Sequence, residues 1–348
     1  MSEEEFEPRP GDAGAFGVNY ALRPHKYVDR RVFVEILSRY AAFVPVENHV
    51  YVGLGSYALE DHKLINATFG TQPLISLEID ANVVARQKFN TPLACIHPTQ
   101  YSTEDFVVRK SAIFNEFGIS PDANSIVWFD MTDAATIRAH LDTFSQLLGA
   151  SQPADVLRIT VDIDEKTLGR LSDGESLENL EQRRFVQLSE FLGGQLKPGA
   201  RVKHLSSKLG IAKLVSYAFK LVAEEAFERD QKYTFEPLSL TTYADGHRML
   251  SITGVVVERD KIAECRTRMR LGSVPGGVAG WDDCVDIQIP QLTVWEKLSL
   301  DRDIHKKSPR QLARAINFKL HESIPTIDLL KGYTSFQRFY PTFRHVAL

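Results

Sequence analysis

Residues 49–80 read HVYVGLGSYALEDHKLINATFGTQPLISLEID, and this stretch decides the fold. Val50, Tyr51 and Val52 form a short β-prone run, which Gly53-Leu54-Gly55-Ser56 interrupts. From Ala58 to Phe69 the residues are helix formers, with Leu59, Leu64 and Ile65 apolar among charged neighbours and Gly70 as the stop. A second apolar run, Leu74 to Leu77, ends on Glu78 and Asp80. The order is strand, glycine turn, helix, strand, acid. Glycines let the backbone turn sharply and come close to a ligand, and a helix starting there aims its free N–H groups at whatever binds. In dinucleotide folds an acid about 20 residues beyond the glycines accepts hydrogen bonds from a ribose. Here Gly53 to Glu78 is 78 − 53 = 25 positions. The third glycine of the dinucleotide fingerprint is missing, so the turn alone also fits a plain tight turn.

Further strands extend the pattern. Pro92 to His97 is a third apolar run, Asn124 to Asp130 (NSIVWFD) a fourth, and Asp155 to Asp164 (DVLRITVDID) a fifth. Helical segments are expected at Ala81 to Asn90, Thr103 to Phe117 and Ala134 to Leu148. Alternating strands and helices predict an α/β fold with a mostly parallel sheet. Continuous apolar strands predict a sheet covered on both faces. Ligands in such sheets bind beyond the carboxyl ends of the strands, where Gly53, Glu78, His97, Asp130 and Asp162 are expected to converge. The stretch 175–230 reads as a helical insertion broken at Lys197-Pro198-Gly199. After it the period changes: Asp245-Gly246 between two β-rich runs predicts a hairpin, so the parallel sheet ends in an antiparallel pair. Residues 1–17 read as a flexible tail, 18–260 as the main domain and 261–348 as a helical extension.

Composition sets outer bounds. With 348 residues, 43% hydrophobic and 25% charged, the chain has the make-up of a globular protein with a sizeable core. Its net charge of −4 gives no global basic field for nucleic acid. Cys95, Cys265 and Cys284 are too scattered for a zinc or disulfide framework, which favours a reducing compartment. The acidic start, MSEEEFEPRPGDAG, resembles no signal peptide, and a cytoplasmic location without a membrane span is the expectation. Arg23, His25, Lys26, Arg30 and Arg31 cluster ahead of the glycine turn. They read either as a solvated helix face or as an anion or substrate contact, with Tyr20, Arg23 and Lys26 the residues singled out for the contact. The closing segment YTSFQRFYPTFRHVAL interleaves aromatic and basic residues. That pattern serves base stacking in some proteins, but at this density it reads first as core or interface. A homodimer fits the long helices and the aromatic end.

On these residues the chain resembles the class I S-adenosylmethionine (SAM)-dependent methyltransferases, Rossmann-like enzymes. Tyr51-Val52-Gly53-Leu54-Gly55-Ser56 resembles their glycine motif, Leu77-Glu78-Ile79-Asp80 their second-strand acid, and Ile126-Val127-Trp128-Phe129-Asp130 their fourth-strand motif. The late hairpin resembles their antiparallel last strand. The phrase NYALRPHKYVDRR, with the later WFD, is similar to uncharacterised bacterial proteins described as O-methyltransferases. The resemblance covers residues 18–259. It implies SAM as cofactor, held by Gly53, Gly55, Ser56, Glu78 and Asp80. A general base helps when the methyl acceptor is a hydroxyl, and Asp130, Asp133 and His97 are the candidates by position. No metal is assigned and the acceptor is not readable. The chain departs from the family at two places: Tyr51 stands where an acid usually precedes the first glycine, and Pro98-Thr99-Gln100 lacks the acid common after the third strand. Those departures keep open a second reading, a catalytically degenerate module that binds a partner protein or nucleic acid.

Overall fold

The computed structural model describes residues 23–131, 137–207, 209–230 and 232–341. Tyr20 and Asp133, and the expected tail at 1–17, lie outside the described residues. Eleven helices of eight residues or more and eight strands are described. They begin with α1 (Pro24–Tyr40), β1 (Val50–Leu54), α2 (Glu60–Phe69), β2 (Leu74–Leu77), α3 (Ala81–Asn90), β3 (Ile96–Thr99) and α4 (Thr103–Glu116). The centre of the chain gives β4 (Ser125–Met131), α5 (Ile137–Gly149), β5 (Val156–Asp162), α6 (Leu177–Leu192) and α7 (Gly210–Ala226). The last part gives β6 (Tyr233–Asp245), β7 (His247–Glu258), α8 (Ile262–Met269), β8 (Val285–Asp286), α9 (Val294–Asp303), α10 (Pro309–Ile316) and α11 (Thr326–Phe336).

All eight strands join one sheet in the order β3-β2-β1-β4-β5-β7-β6-β8. Strands β1 to β5 are mutually parallel, and β7 runs antiparallel to both β5 and β6. The strand order reverses between β1 and β4, which opens a crevice at the carboxyl ends of those two strands. The hairpin turns at Gly246, whose φ of 98° is a conformation glycine takes without penalty. The third strand starts later than its apolar run suggests: it begins at Ile96 and carries Pro98. A proline is tolerated there because β3 is an edge strand, bonded only to β2.

Both faces of the sheet are covered, as the apolar strands require. One face packs Phe106 and Phe114 of α4, Phe144 of α5 and Phe219 of α7 against Val52, Val127, Phe129 and Ile159. The other packs Val28 and Phe33 of α1, Ile65 of α2, Met269 of α8 and Leu330 of α11 against Tyr51, Ile126, Trp128 and Val255. The stretch 175–230 therefore supplies a layer helix, α7, together with α6, which packs against α5. The aromatic end is core: Tyr333, Phe336, Phe339 and Tyr340 are buried in the α1 layer. No helix of the described residues is long and apolar enough to cross a membrane.

The α1 layer is pinned by a polar knot in an apolar setting. Asp29 of α1 and Arg158 of β5 are both fully buried and form an ion pair. Arg158 lies between the rings of Phe33 and Trp128, 4.8 and 4.7 Å from their centroids, and donates to Thr253 Oγ1 at 2.8 Å. Asp29 also accepts from Thr241 Oγ1 at 2.6 Å and Ser251 Oγ at 3.1 Å. Desolvating two charges is costly unless they are paired and hydrogen-bonded, and removing one partner leaves the other uncompensated. Replacing Arg158 by Met should therefore lower unfolding free energy by about 3–5 kcal/mol in urea titrations. The Asp29→Leu/Arg158→Met double variant should recover a large part of that. A single variant within about 1 kcal/mol of the parent, the size of an exposed pair, would show that the knot does not hold α1.

Candidate active site

The crevice lies at the carboxyl ends of β1, β2 and β4. The glycine loop leaves β1 with Ser56 at φ 45° and Leu59 at φ 54°, both left-handed. Gly55 cannot be exchanged freely: a Cβ there would collide with Ser76 Oγ and stand 2.5 Å from Leu59 Cδ2. Gln87, buried on α3, holds the loop from behind. It accepts from Ser76 Oγ at 3.2 Å and donates to the Ser56 carbonyl at 2.8 Å. Helix α2 then begins with no side chain capping it, and the Ser56 hydroxyl is buried without a partner.

At the end of β2, one oxygen of Glu78 accepts from the backbone N–H of Ile79 at 2.8 Å and of Asp80 at 3.1 Å. This fixes the half-buried carboxylate at the rim, while Oε2 takes no part in those bonds. Asp80 acts on the helix instead: it is the N-cap of α3 and accepts from Asn82 and Val83 N–H. An Asp in that position stabilises the helix start by about 1 kcal/mol. Ile79 between them is 70% exposed, an apolar side chain presented at the rim.

Tyr51, which stands where the resemblance expects an acid, is buried with its ring edge-on to His62 at 5.0 Å. Its hydroxyl lies 2.8 Å from the place a Gly53 Cβ would take, so it packs under the glycine loop. Burial pushes the Tyr51 phenol well above its ordinary value, with Asp61 adding to the effect, so the residue that replaces the acid is neutral. His62, also buried, bonds the Ile75 carbonyl at 3.0 Å, and burial lowers its pKa.

Asp130, the last residue but one of β4, stands level with the loop, since Gly53 pairs with Trp128 two residues earlier. Its Oδ2 accepts from Lys26 Nζ at 2.5 Å, and its Oδ1 is buried without a partner. Lys26 and Arg30 are thus not a solvated face. Both are buried, Lys26 on Asp130 and Arg30 on Asp61 of α2. Arg23 lines a cavity of about 600 Å³ beside the β6–β7 turn. His97 is not brought to the crevice. It pairs with Ile75 inside the sheet and stacks on Phe117, at the far end of α4, with centroids 4.8 Å apart.

Two features of this rim escaped sequence reasoning. Asp245 accepts from the Lys26 N–H at 2.6 Å and bonds His25 Nδ1 at 2.9 Å, which ties the start of α1 to the hairpin. His247 contacts Asp162 across β7 and β5 at 3.0 Å. In the sequence Asp245 and His247 only flank a hairpin turn, and their spacing signals nothing more.

A switch-point crevice with a tight glycine loop and a strand-end acid, on a parallel sheet closed by an antiparallel hairpin, defines a Rossmann-like fold of the methyltransferase type. The chain belongs to the protein family described as "Putative O-methyltransferase", whose model matches residues 18–348. A comparison with curated proteins finds no match. Among solved structures, the plantazolicin methyltransferase BamL, determined with a desmethylPZN analogue and SAH, is 10% identical. That match covers 66% of this chain and 85% of that one at a TM-score of 0.38. A SAM-dependent methyltransferase from Aquifex aeolicus is 8% identical, over 68% and 92% of the two chains, with a TM-score of 0.35. Likeness at this level carries no argument about ligand or activity.

Two outcomes test the geometry. Gly55→Ala should cost about 1–3 kcal/mol of stability, the usual penalty of overpacking, read as a lower urea midpoint; an unchanged midpoint would mean the loop has room. His62 has a folded pKa below its unfolded value near 6.5. The unfolded chain therefore binds more protons in that window, and the stability it contributes is full above about pH 6.5 and lost as pH falls toward the folded pKa. The urea midpoint should drop between pH 7.5 and 5.5, and drop less in His62→Asn.

Proposed function

We propose that this chain transfers a methyl group from SAM to an oxygen acceptor, and that SAM lies in the crevice between β1 and β4. The observation that carries this reading is the pairing of the glycine loop with Glu78. At the second strand end a carboxylate is already fixed by two backbone N–H groups, an acceptor for the ribose hydroxyls of a nucleoside. The glycine turn beside it is packed on its inner side, where Ser76 and Leu59 fill the place of a Gly55 Cβ, and it leads into the start of α2, which no side chain caps and whose free N–H groups suit a ligand.

The residues present fit the group. Gly53, Gly55 and Ser56 surround it, and Glu78 Oε2 takes the ribose. Ile79 gives an apolar surface for the adenine. The unpartnered Oδ1 of Asp130 suits a cationic or hydroxylic group of a ligand. Asp80 supports the site by capping α3 and not by contact. When bound, SAM supplies a methyl carbon activated by its sulfonium; the protein's part is to align the acceptor with it. Lys26 keeps the Asp130 carboxylate in place. Arg23, on the cavity beside the hairpin, lies on the acceptor side. The description of the family as an O-methyltransferase supports oxygen as the acceptor atom.

Calorimetric titration with SAM and S-adenosylhomocysteine tests this. Both should bind, and Glu78→Ala should weaken binding by about 1.5–3 kcal/mol, the worth of hydrogen bonds to a charged group. Gly55→Trp should abolish it. Undiminished affinity in Glu78→Ala would remove the ribose assignment, and no binding by the parent protein would favour a degenerate module that recognises a macromolecular partner.

A further inference from the structure

Helix α9 is apolar on both of its sides. Inward it sends Leu300, with Ile304 just beyond its end, into the α1 layer. Outward, Val294, Trp295 and Leu298 are 62%, 82% and 53% exposed. At about 100° per residue, these three and Arg302 fall within about 100° of arc, opposite Leu300. The helix is firmly seated. Thr293 and Glu296 close its start with reciprocal bonds at 2.7 and 3.3 Å, and Asp301 accepts from Tyr333 Oη at 2.6 Å and Gln337 Nε2 at 3.0 Å. The apolar side chains are therefore held out by a well-capped helix. Phe318, just after α10, is exposed as well. Leu320, two residues on, and Gln291, which leads into α9, line one cavity, so the fold brings the start of α9 and the end of α10 to one side of the molecule.

Charge gives an independent observation at the same place. Residues 302–319 hold six Lys or Arg and one acid, a net of 6 − 1 = +5. The rest of the chain therefore carries −4 − 5 = −9. The one acid, Asp303, is taken by Lys307 at 2.7 Å. Arg310 and Arg314 stand one turn apart on the exposed side of α10, while Leu312 is buried and Ile316 packs on the core. Arg302, with its side chain 75% exposed, continues the outward face of α9. A contiguous exposed apolar face marks an interaction site, and here it is bordered by cations on an otherwise acidic chain.

We propose that α9 and the basic run through Lys319 dock on an anionic bilayer, with Val294, Trp295 and Leu298 set among the headgroups and Arg302, Arg310 and Arg314 on the lipid phosphates. An interfacial helix has this composition, Trp and Leu on one side and Lys or Arg beside them. At 10 residues, or about 15 Å, α9 lies on the surface and does not cross it. Bases stack on rings, and Val294 and Leu298 offer none, so a nucleic acid would leave half of the apolar face unused. A second copy of the chain pairs like with like in a two-fold contact, which would set one basic run against the other. The negative remainder of the chain is repelled by an anionic surface and turns this face towards it. The contact does not depend on what the crevice holds.

Vesicle flotation with the full chain tests this. Vesicles of phosphatidylcholine with about one quarter phosphatidylglycerol should carry the protein, and pure phosphatidylcholine should not. Raising NaCl from about 0.1 to about 1 M, which shortens the Debye length from about 10 to about 3 Å, should weaken binding at least about tenfold. Arg310→Glu/Arg314→Glu should lower affinity at least about tenfold, and so should Trp295→Ser/Leu298→Ser. All four side chains are exposed, so both variants should keep the parent's urea midpoint. Tryptophan emission should move to the blue on binding, and not in Trp295→Phe; that readout decides if either pair lowers the midpoint. Flotation with neither lipid, equal flotation with pure phosphatidylcholine, or flotation unchanged in Trp295→Ser/Leu298→Ser overturns the proposal. Retention of a poly-uridine oligonucleotide without vesicle binding overturns it in favour of nucleic acid. A dimer in sedimentation velocity that Trp295→Ser/Leu298→Ser dissociates overturns it in favour of a second copy.

Discussion

The buried pair of Asp29 and Arg158 is the constraint on which the rest of this structure depends. Among the described residues it is the one place where α1, β5, β6 and β7 are all joined by polar bonds within an otherwise apolar layer. Apolar packing would let α1 slide along the sheet, since a methyl group meets much the same environment one turn further on. A guanidinium held between Phe33 and Trp128 and bonded to a single carboxylate does not permit that. Trp128 is itself tied, through its Nε1–H, to Thr160 Oγ1 at 3.1 Å. The knot therefore fixes the register of a helix against three strands, and the energy at stake is set by the desolvation of two charges.

Everything at the rim inherits that register. Lys26 stands three residues before Asp29 on the same helix and Arg30 follows it, so fixing Asp29 delivers Lys26 to Asp130 and Arg30 to Asp61. The Lys26 N–H reaches Asp245 for the same reason. The beginning of α1 thus closes over the carboxyl ends of β4 and β6 and ties the hairpin turn to the crevice. Beside the hairpin turn the largely exposed His247 pairs with the buried Asp162. The crevice is divided between a glycine loop and Glu78 on one flank and a set of titratable side chains on the other.

The departures from the expected pattern have physical accounts. Tyr51 replaces an acid, but it is buried under the glycine loop and braced by His62, so a neutral side chain shapes the turn from below. His97 lies on a strand whose ending is acceptable by pattern, yet its ring turns to Phe117 at the opposite end of α4. A strand's residues alternate between faces and also differ in depth along it, and a short edge strand gives little evidence of where its carboxyl end falls.

The sequence by itself determined the order of strands and helices from residue 50 to 162, the glycine turn, the acid after the second strand and the antiparallel hairpin. These are local properties: period, turn residues and breakers act over a few positions, so they are written in consecutive residues. The aromatic end was also legible as core, because few surfaces tolerate that density of rings. Only the tertiary structure decided which charges meet. Arg158 in the middle of an apolar strand was a visible anomaly, but its partner lies 129 residues away. Lys26 and Asp130 are 104 apart, and His247 and Asp162 are 85 apart. Such pairs are made by strand order and helix register, which place distant residues on one face, and no periodicity within either segment records the other.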